Sequence, residues 1–154
     1  MSDKCIVEKC SESWGEEFLK GVKNSNNCSG FVKSVASKLG VAIVNDNADG
    51  IVAALSESSA WKNLESGTEA ATWARRGCLV IAGLKATDHK PSRNNGHVVV
   101  VVDGELYRAK YPKCWSGSTG GAQSQGTKSV GEVWARADRD TVAYFGYNSP
   151  VCKS

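Results

Sequence analysis

Two residues of this chain have the types and settings to break an acyl bond together. Cys28 follows the polar stretch Lys23-Asn24-Ser25-Asn26-Asn27 and opens a run in which Phe31, Val32, Val35 and Leu39 recur with helical spacing. A thiol at a helix start gains from the positive end of the helix dipole, which favours the nucleophilic thiolate. The free N–H groups of the first turn can also hold an oxyanion. His97 follows Gly96 and opens the β-branched run Val98-Val99-Val100-Val101-Val102. An imidazole held against the thiol would take its proton and later return it to a leaving amine. The chemistry on offer is acyl transfer through a thioester.

Particular elements must position these groups. A helix is expected over 28–39, with Asn26 or Asn27 as N-cap and Gly40 as its stop. A strand is expected over 98–103, and Asp103-Gly104 is a turn signal into a second strand over 105–108. Further helices are expected over 12–20, where Trp14 and Phe18 share a face before Gly21, and over 47–55 and 68–76, the last closed by Gly77. The run 78–82 reads as a buried strand, 130–135 as a short helix and 141–147 as a strand. The stretch 85–95 reads as a polar loop containing Pro91, and 111–127, rich in Gly and Ser, as an ordered functional loop. Helices come first and strands later, so the fold class expected is α+β. The length of 154 residues suits a single catalytic domain spanning 1–154.

Composition removes other classes. Hydrophobic residues make up 41% and charged residues 23%, the balance of a globular chain. The net charge is +3, and the groups Lys85/Lys90/Arg93 and Arg108/Lys110/Lys113 are too sparse for a nucleic-acid arm, although a weakly basic face would suit a substrate bearing carboxylates. The start Met1-Ser2-Asp3-Lys4-Cys5 leads into no Sec-type apolar stretch, and the longest apolar run, Val98 to Val102, is far too short to span a bilayer. The chain is therefore expected to be made in the cytoplasm and to need another machine for export. No G-x-S-x-G elbow or phosphate loop is present. Six cysteines without C-x-x-C spacing, and two histidines, His89 and His97, form no metal pattern, so no metal or cofactor is expected. So many cysteines without a metal point to an oxidising working compartment. Cys78 reads as core, His89 as solvated in its charged loop, and Asp138 and Asp140 as surface; Cys10 has no role.

The segments Asn26-Asn27-Cys28-Ser29-Gly30-Phe31-Val32, Gly96-His97-Val98, Leu106-Tyr107-Arg108 and Tyr111-Pro112-Lys113-Cys114-Trp115 resemble the type VI secretion amidase effectors of family 1. Leu79 to Lys85, Gln123 to Gly126, Lys128 to Gly131 and the opening Cys5-Ile6-Val7 extend the likeness over nearly the whole chain. The resemblance implies a papain-like fold of the NlpC type, the catalytic cysteine at a helix N-terminus packed on an antiparallel sheet that carries the histidine. It implies an antibacterial effector that cuts the γ-D-glutamyl–meso-diaminopimelate bond of peptidoglycan stems in the periplasm of a recipient Gram-negative cell. Its partners would be the stem peptides, a cognate periplasmic immunity protein and a ring-shaped protein of the secretion tube, with neither nucleic acid nor membrane insertion. The family disulfide maps onto Cys5 and Cys152. Cys28 and His97 map onto the catalytic pair, and Ser116 falls where a relative has a second cysteine and a third group would orient the imidazole. Asn27, Ser29, Tyr111, Cys114 and Trp115 are the expected substrate contacts. The loop 87–95 is longer than the family pattern and sits just before His97, where it would line the cleft and alter substrate preference or immunity-protein binding.

Two other functions use the same residues. A papain-like module could grip cell-wall peptide without cutting it, and a cysteine protease or transglutaminase-like enzyme could act on proteins. A monomer is the default for all three.

Overall fold

Every residue of the strand Cys78–Leu84 is buried, which is why this stretch is apolar throughout rather than alternating. The strand lies inside a six-stranded sheet covered on both faces. The computed structural model describes residues 2–153. In chain order its helices and strands are α1 (Lys4–Trp14), α2 (Cys28–Lys38), α3 (Ala48–Glu57), β1 (Trp61–Leu64), α4 (Gly67–Arg75), β2 (Cys78–Leu84), β3 (His97–Val101), β4 (Lys113–Ser116), β5 (Ser124–Ser129), α5 (Val130–Val133) and β6 (Ala143–Pro150). The strand order is β1-β6-β2-β3-β4-β5, and every neighbouring pair is antiparallel. The fold is α+β, as expected.

Alternation along β3 sends Val98 and Val100 to one face and Val99 and Val101 to the other. On the first face they join Phe31, Val32 and Val35 of α2, Ile51 and Val52 of α3, and Ile6 and Cys10 of α1. On the second they join Ala70 and Ala74 of α4, and Val130 with the following Trp134. Each fully buried aliphatic side chain stabilises the fold by roughly 1.5–3 kcal/mol in transfer terms, so this double layer holds β3 tightly.

The helices α2, α3 and α4 fall where the sequence places them. Asn27, Asn47 and Ser66 cap them, each side chain accepting an N–H from the first turn. The helix expected over 12–20 does not form. The chain is helical over Lys4–Trp14 instead, because Ile6, Cys10 and Trp14, spaced by four, make the buried stripe. Phe18 lies beyond the helix, 42% exposed, with the Lys33 ammonium over its ring at 4.5 Å. The strand expected over 105–108 is a turn. Arg108 and Ala109 take φ of 53° and 57°, and Tyr107 bridges Tyr111. The loop expected over 111–127 contains β4 and the start of β5. The edge strand β1 carried no sequence signal of its own; it adds to β6 with Trp61 against Tyr147.

Cys5 and Cys152 form a disulfide that ties α1 to the chain's end. Cys78 is buried, as expected of a core residue, and Cys10 packs in the core beneath α1.

Candidate active site

Cys28 is the first residue of α2. Asn27 is extended at φ −148°, its Oδ1 accepts the Gly30 N–H at 3.0 Å, and its carbonyl accepts that of Phe31. The earlier amides of the turn, those of Cys28 and Ser29, are left uncommitted within the helix. The loop before Cys28 is stitched to the loop after β4. The Ser118 N–H donates to Ser25 O at 2.9 Å, Gln123 Nε2 donates to Ser25 O at 2.6 Å and to Asn26 Oδ1 at 2.9 Å, and the Thr119 hydroxyl donates to Asn26 O. The buried Asn24 amide donates to Ser13 O and Ser34 Oγ, both at 2.9 Å, which anchors the same loop to α1 and α2.

His97 opens β3, opposite Leu84 of β2. Its Nε2 lies 2.8 Å from Ser116 Oγ on β4. The Ser116 hydroxyl donates its only proton to Ala122 O at 3.1 Å, so its oxygen is left to accept the Nε2–H of His97. That hydrogen bond assigns the tautomer and leaves Nδ1 as the basic nitrogen. Trp134 packs edge-on against the imidazole, with centroids 5.1 Å apart. Cys28 and His97 line one cleft together with Asn27, Ser29 and Asn47.

Burial pushes the Cys28 thiol above its ordinary range, and the N–H groups of Val98 and Ser29, its own amide and the Lys33 charge pull it partway back. Burial, with the charges of His89 and Arg93, holds the His97 imidazole down at about 4. At neutral pH the two groups therefore rest as thiol and neutral imidazole.

Of the expected substrate contacts, Asn27 and Ser29 line this cleft; the Ser29 hydroxyl donates to Asn27 Oδ1 at 3.2 Å. Three others lie elsewhere. Trp115 packs between Trp14 and Phe31 on the α1/α2 face, Cys114 is buried on the opposite face, and Tyr111 donates to Asp140 at 2.6 Å beneath the Arg139 guanidinium. These side chains shape the sheet and not the cleft wall.

Two sequence readings are corrected. His89 is only 4% exposed and Asp138 only 1%, and His89 Nδ1 meets Asp138 Oδ2 at 3.0 Å. The other carboxylate oxygen accepts the Lys90 N–H at 2.7 Å. Burial opposes the Asp138 charge, but these hydrogen bonds and the nearby His89 and Arg93 charges outweigh it and hold the carboxyl below its ordinary value. The partners lie 49 positions apart in sequence, so no local pattern could announce them. Asp140 is at the surface as expected, paired with Lys110.

The molecule is thus an α+β protein with an antiparallel sheet whose imidazole shares a cleft with a helix-borne thiol. No family model matches the chain. It is 52% identical over 152 residues to peptidoglycan amidase Tse1 of Pseudomonas aeruginosa, a match covering 97% of this chain and 94% of that protein. The chain belongs to the Tse1 family of peptidoglycan amidases, the one its motifs resemble.

Proposed function

We propose that this protein is a cysteine amidase of papain-like, NlpC-type architecture that hydrolyses the γ-D-glutamyl–meso-diaminopimelate bond of peptidoglycan stems. The observation that carries the reading is the Cys28 thiol at a capped helix start, sharing a cleft with an imidazole whose tautomer is assigned by Ser116. The thiol attacks the γ-carbonyl of D-glutamate while Nδ1 of His97 takes its proton, and the uncommitted N–H groups of the first turn hold the oxyanion. The C–N bond breaks as His97 returns the proton to the departing amine. Water, activated by the same nitrogen, then hydrolyses the thioester and frees the thiol.

The same reading makes the protein an antibacterial effector. It is carried by the ring-shaped tube protein of a type VI machine, acts in the periplasm of a recipient cell and is restrained in the producer by an immunity protein seated over the cleft. The disulfide suits an oxidising compartment. Among the described residues no helix is long and apolar enough to cross a membrane.

Digestion of purified Gram-negative peptidoglycan by the wild-type protein and by Cys28→Ala, read by mass spectrometry, tests the proposal. New fragments ending at D-glutamate and beginning at diaminopimelate, absent with Cys28→Ala, are expected. Intact stems under both oxidising and reducing conditions would turn the reading toward the binding module, and cleavage of a protein substrate instead would turn it toward the protease.

A further inference from the structure

The chain between β2 and β3, residues 85–96, is fastened at its base, its neck and its middle. At the base the Ala86 N–H donates to Asp49 Oδ1 at 2.9 Å, and Gly96 packs so close to the same oxygen that a Cβ there would stand 2.3 Å from it. At the neck the Arg93 N–H donates to Ala86 O at 3.0 Å, and the Ser92 hydroxyl donates to Thr87 O at 3.3 Å. At the middle both carboxylate oxygens of Asp138 are engaged, Oδ2 with His89 Nδ1 at 3.0 Å and Oδ1 with the Lys90 N–H at 2.7 Å. Between the neck and His97 lie Asn94, Asn95 and Gly96, and these three line the cleft that holds Cys28.

Asp138 is a fixed point. Its N–H donates to Ala135 O at 2.9 Å, and its carbonyl accepts the Thr141 N–H at 2.9 Å and the Thr141 hydroxyl at 2.8 Å. The same segment begins at Trp134, whose indole packs against the His97 imidazole. One short stretch of chain therefore touches both the base and the loop that precedes it. A buried polar or ionic pair is weak evidence for stability, since apolar side chains of similar volume often serve as well. Satisfied, directional hydrogen bonds add a single arrangement of the groups they join. Asn94 and Asn95 are exposed where they line the cleft, and an amide side chain both donates and accepts, as a peptide bond does.

We propose that Asp138 is a positioning residue for substrate binding: through His89 and the Lys90 amide it holds the 85–96 loop in one conformation, so that Asn94 and Asn95 form a ready-made wall of the thiol cleft and contact the backbone of the stem peptide. The wall is built before the substrate arrives. A loop that visited this arrangement only about a tenth of the time would bind roughly tenfold more weakly, with the chemistry at Cys28 and His97 unchanged. The inference rests on the amidase reading above and adds to it the residues that contact the peptide and the group that holds them in place.

The test compares steady-state cleavage of a synthetic stem tetrapeptide by wild type, Asp138→Ala, His89→Phe and the pair variant Asn94→Ala/Asn95→Ala. The rate of Cys28 alkylation by iodoacetamide, read by mass spectrometry, reports on the thiol independently of the peptide-binding wall. Each variant should raise KM roughly tenfold, with kcat within about twofold of wild type and alkylation unchanged. Asp138→Ala added to the asparagine pair should raise KM by less than about twofold further, because Asp138 acts only through that wall. An unchanged KM in the asparagine pair, whose exposed positions do not endanger folding, would overturn the wall. An unchanged KM in a folded Asp138→Ala or His89→Phe, or effects that multiply in the combined variant, would overturn the positioning role. Failure of both Asp138→Ala and His89→Phe to fold would assign the pair to stability and overturn that role as well. In each of these cases wild type still cleaves the stem and the amidase reading stands. A wild type that cleaves no stem peptide would sink the amidase reading and the inference with it.

Discussion

The central atoms of the candidate site are the two nitrogens of His97 and the sulfur of Cys28. Ser116 holds Nε2–H through an oxygen whose own proton is spent on Ala122, so the hydroxyl acts as an acceptor of assigned direction. Ser116→Ala frees the ring to rotate and to change tautomer. Activity should fall roughly 10- to 100-fold, part of what a positioned base contributes, with kcat more affected than KM. Ser116→Thr, which keeps the hydroxyl, should restore part of it if the added methyl is tolerated. The low pKa of His97 has two consequences of stated sign. The acid limb of kcat/KM should fall near pH 4 rather than near the ordinary 6.5, because the base stays neutral down to that point. Stability should be undiminished above pH 6.5 and decline as the pH falls from 6.5 towards 4, because the unfolded chain binds the proton first in that window. An activity limb near 6.5 would mean that His97 is solvated and not buried against Trp134.

At the level of elements, the site depends on two loops meeting. The segment before Cys28 and the loop between β4 and β5 exchange hydrogen bonds through Ser25, Asn26, Ser118, Thr119 and Gln123. Gly117 lies at their closest approach: a Cβ there would stand 2.1 Å from the Asn24 carbonyl oxygen, a backbone atom that cannot swing aside. Gly117→Ala should destabilise the protein by about 1–3 kcal/mol in urea unfolding, and it should cut activity beyond what the lost stability explains, because the shift passes into the turn that carries Cys28. Wild-type activity per folded molecule in this variant would mean that the two loops do not position the thiol.

For the molecule as a whole, the largest covalent constraint is the Cys5–Cys152 bridge, whose ends lie 147 positions apart in sequence. The loop-entropy account gives such a closure up to ~4–5 kcal/mol. The double variant Cys5→Ser/Cys152→Ser should lower the urea midpoint accordingly while leaving kcat/KM near wild type under native conditions, because neither cysteine lines the cleft. The bridge thus constrains the fold from outside the cleft.

Local sequence determined the parts of this protein that depend on a few adjacent residues. The capped start of α2, the starts of α3 and α4, and the apolar β2 and β3 are all written in short runs, because capping and burial periodicity are properties of neighbours. The resemblance, which compares residue types along the chain, singled out Cys28, His97 and Ser116, and the fold brings His97 to Ser116 and into one cleft with Cys28. Burial was less legible where a residue's type had two meanings. Cys10 was given no role, yet its spacing from Ile6 and Trp14 marks the buried stripe of α1, and Phe18 drew the helix too late. The alternation of Gly and Ser in 111–127 hid β4 and β5, because a Ser strand gains its stability from partners across the sheet. Only the tertiary structure decided that Trp115, Cys114 and Tyr111 turn away from the cleft, and that His89 and Asp138, polar residues in charged surroundings, meet in the interior. A pairing across 49 residues is a product of chain topology, and no window of local sequence contains it.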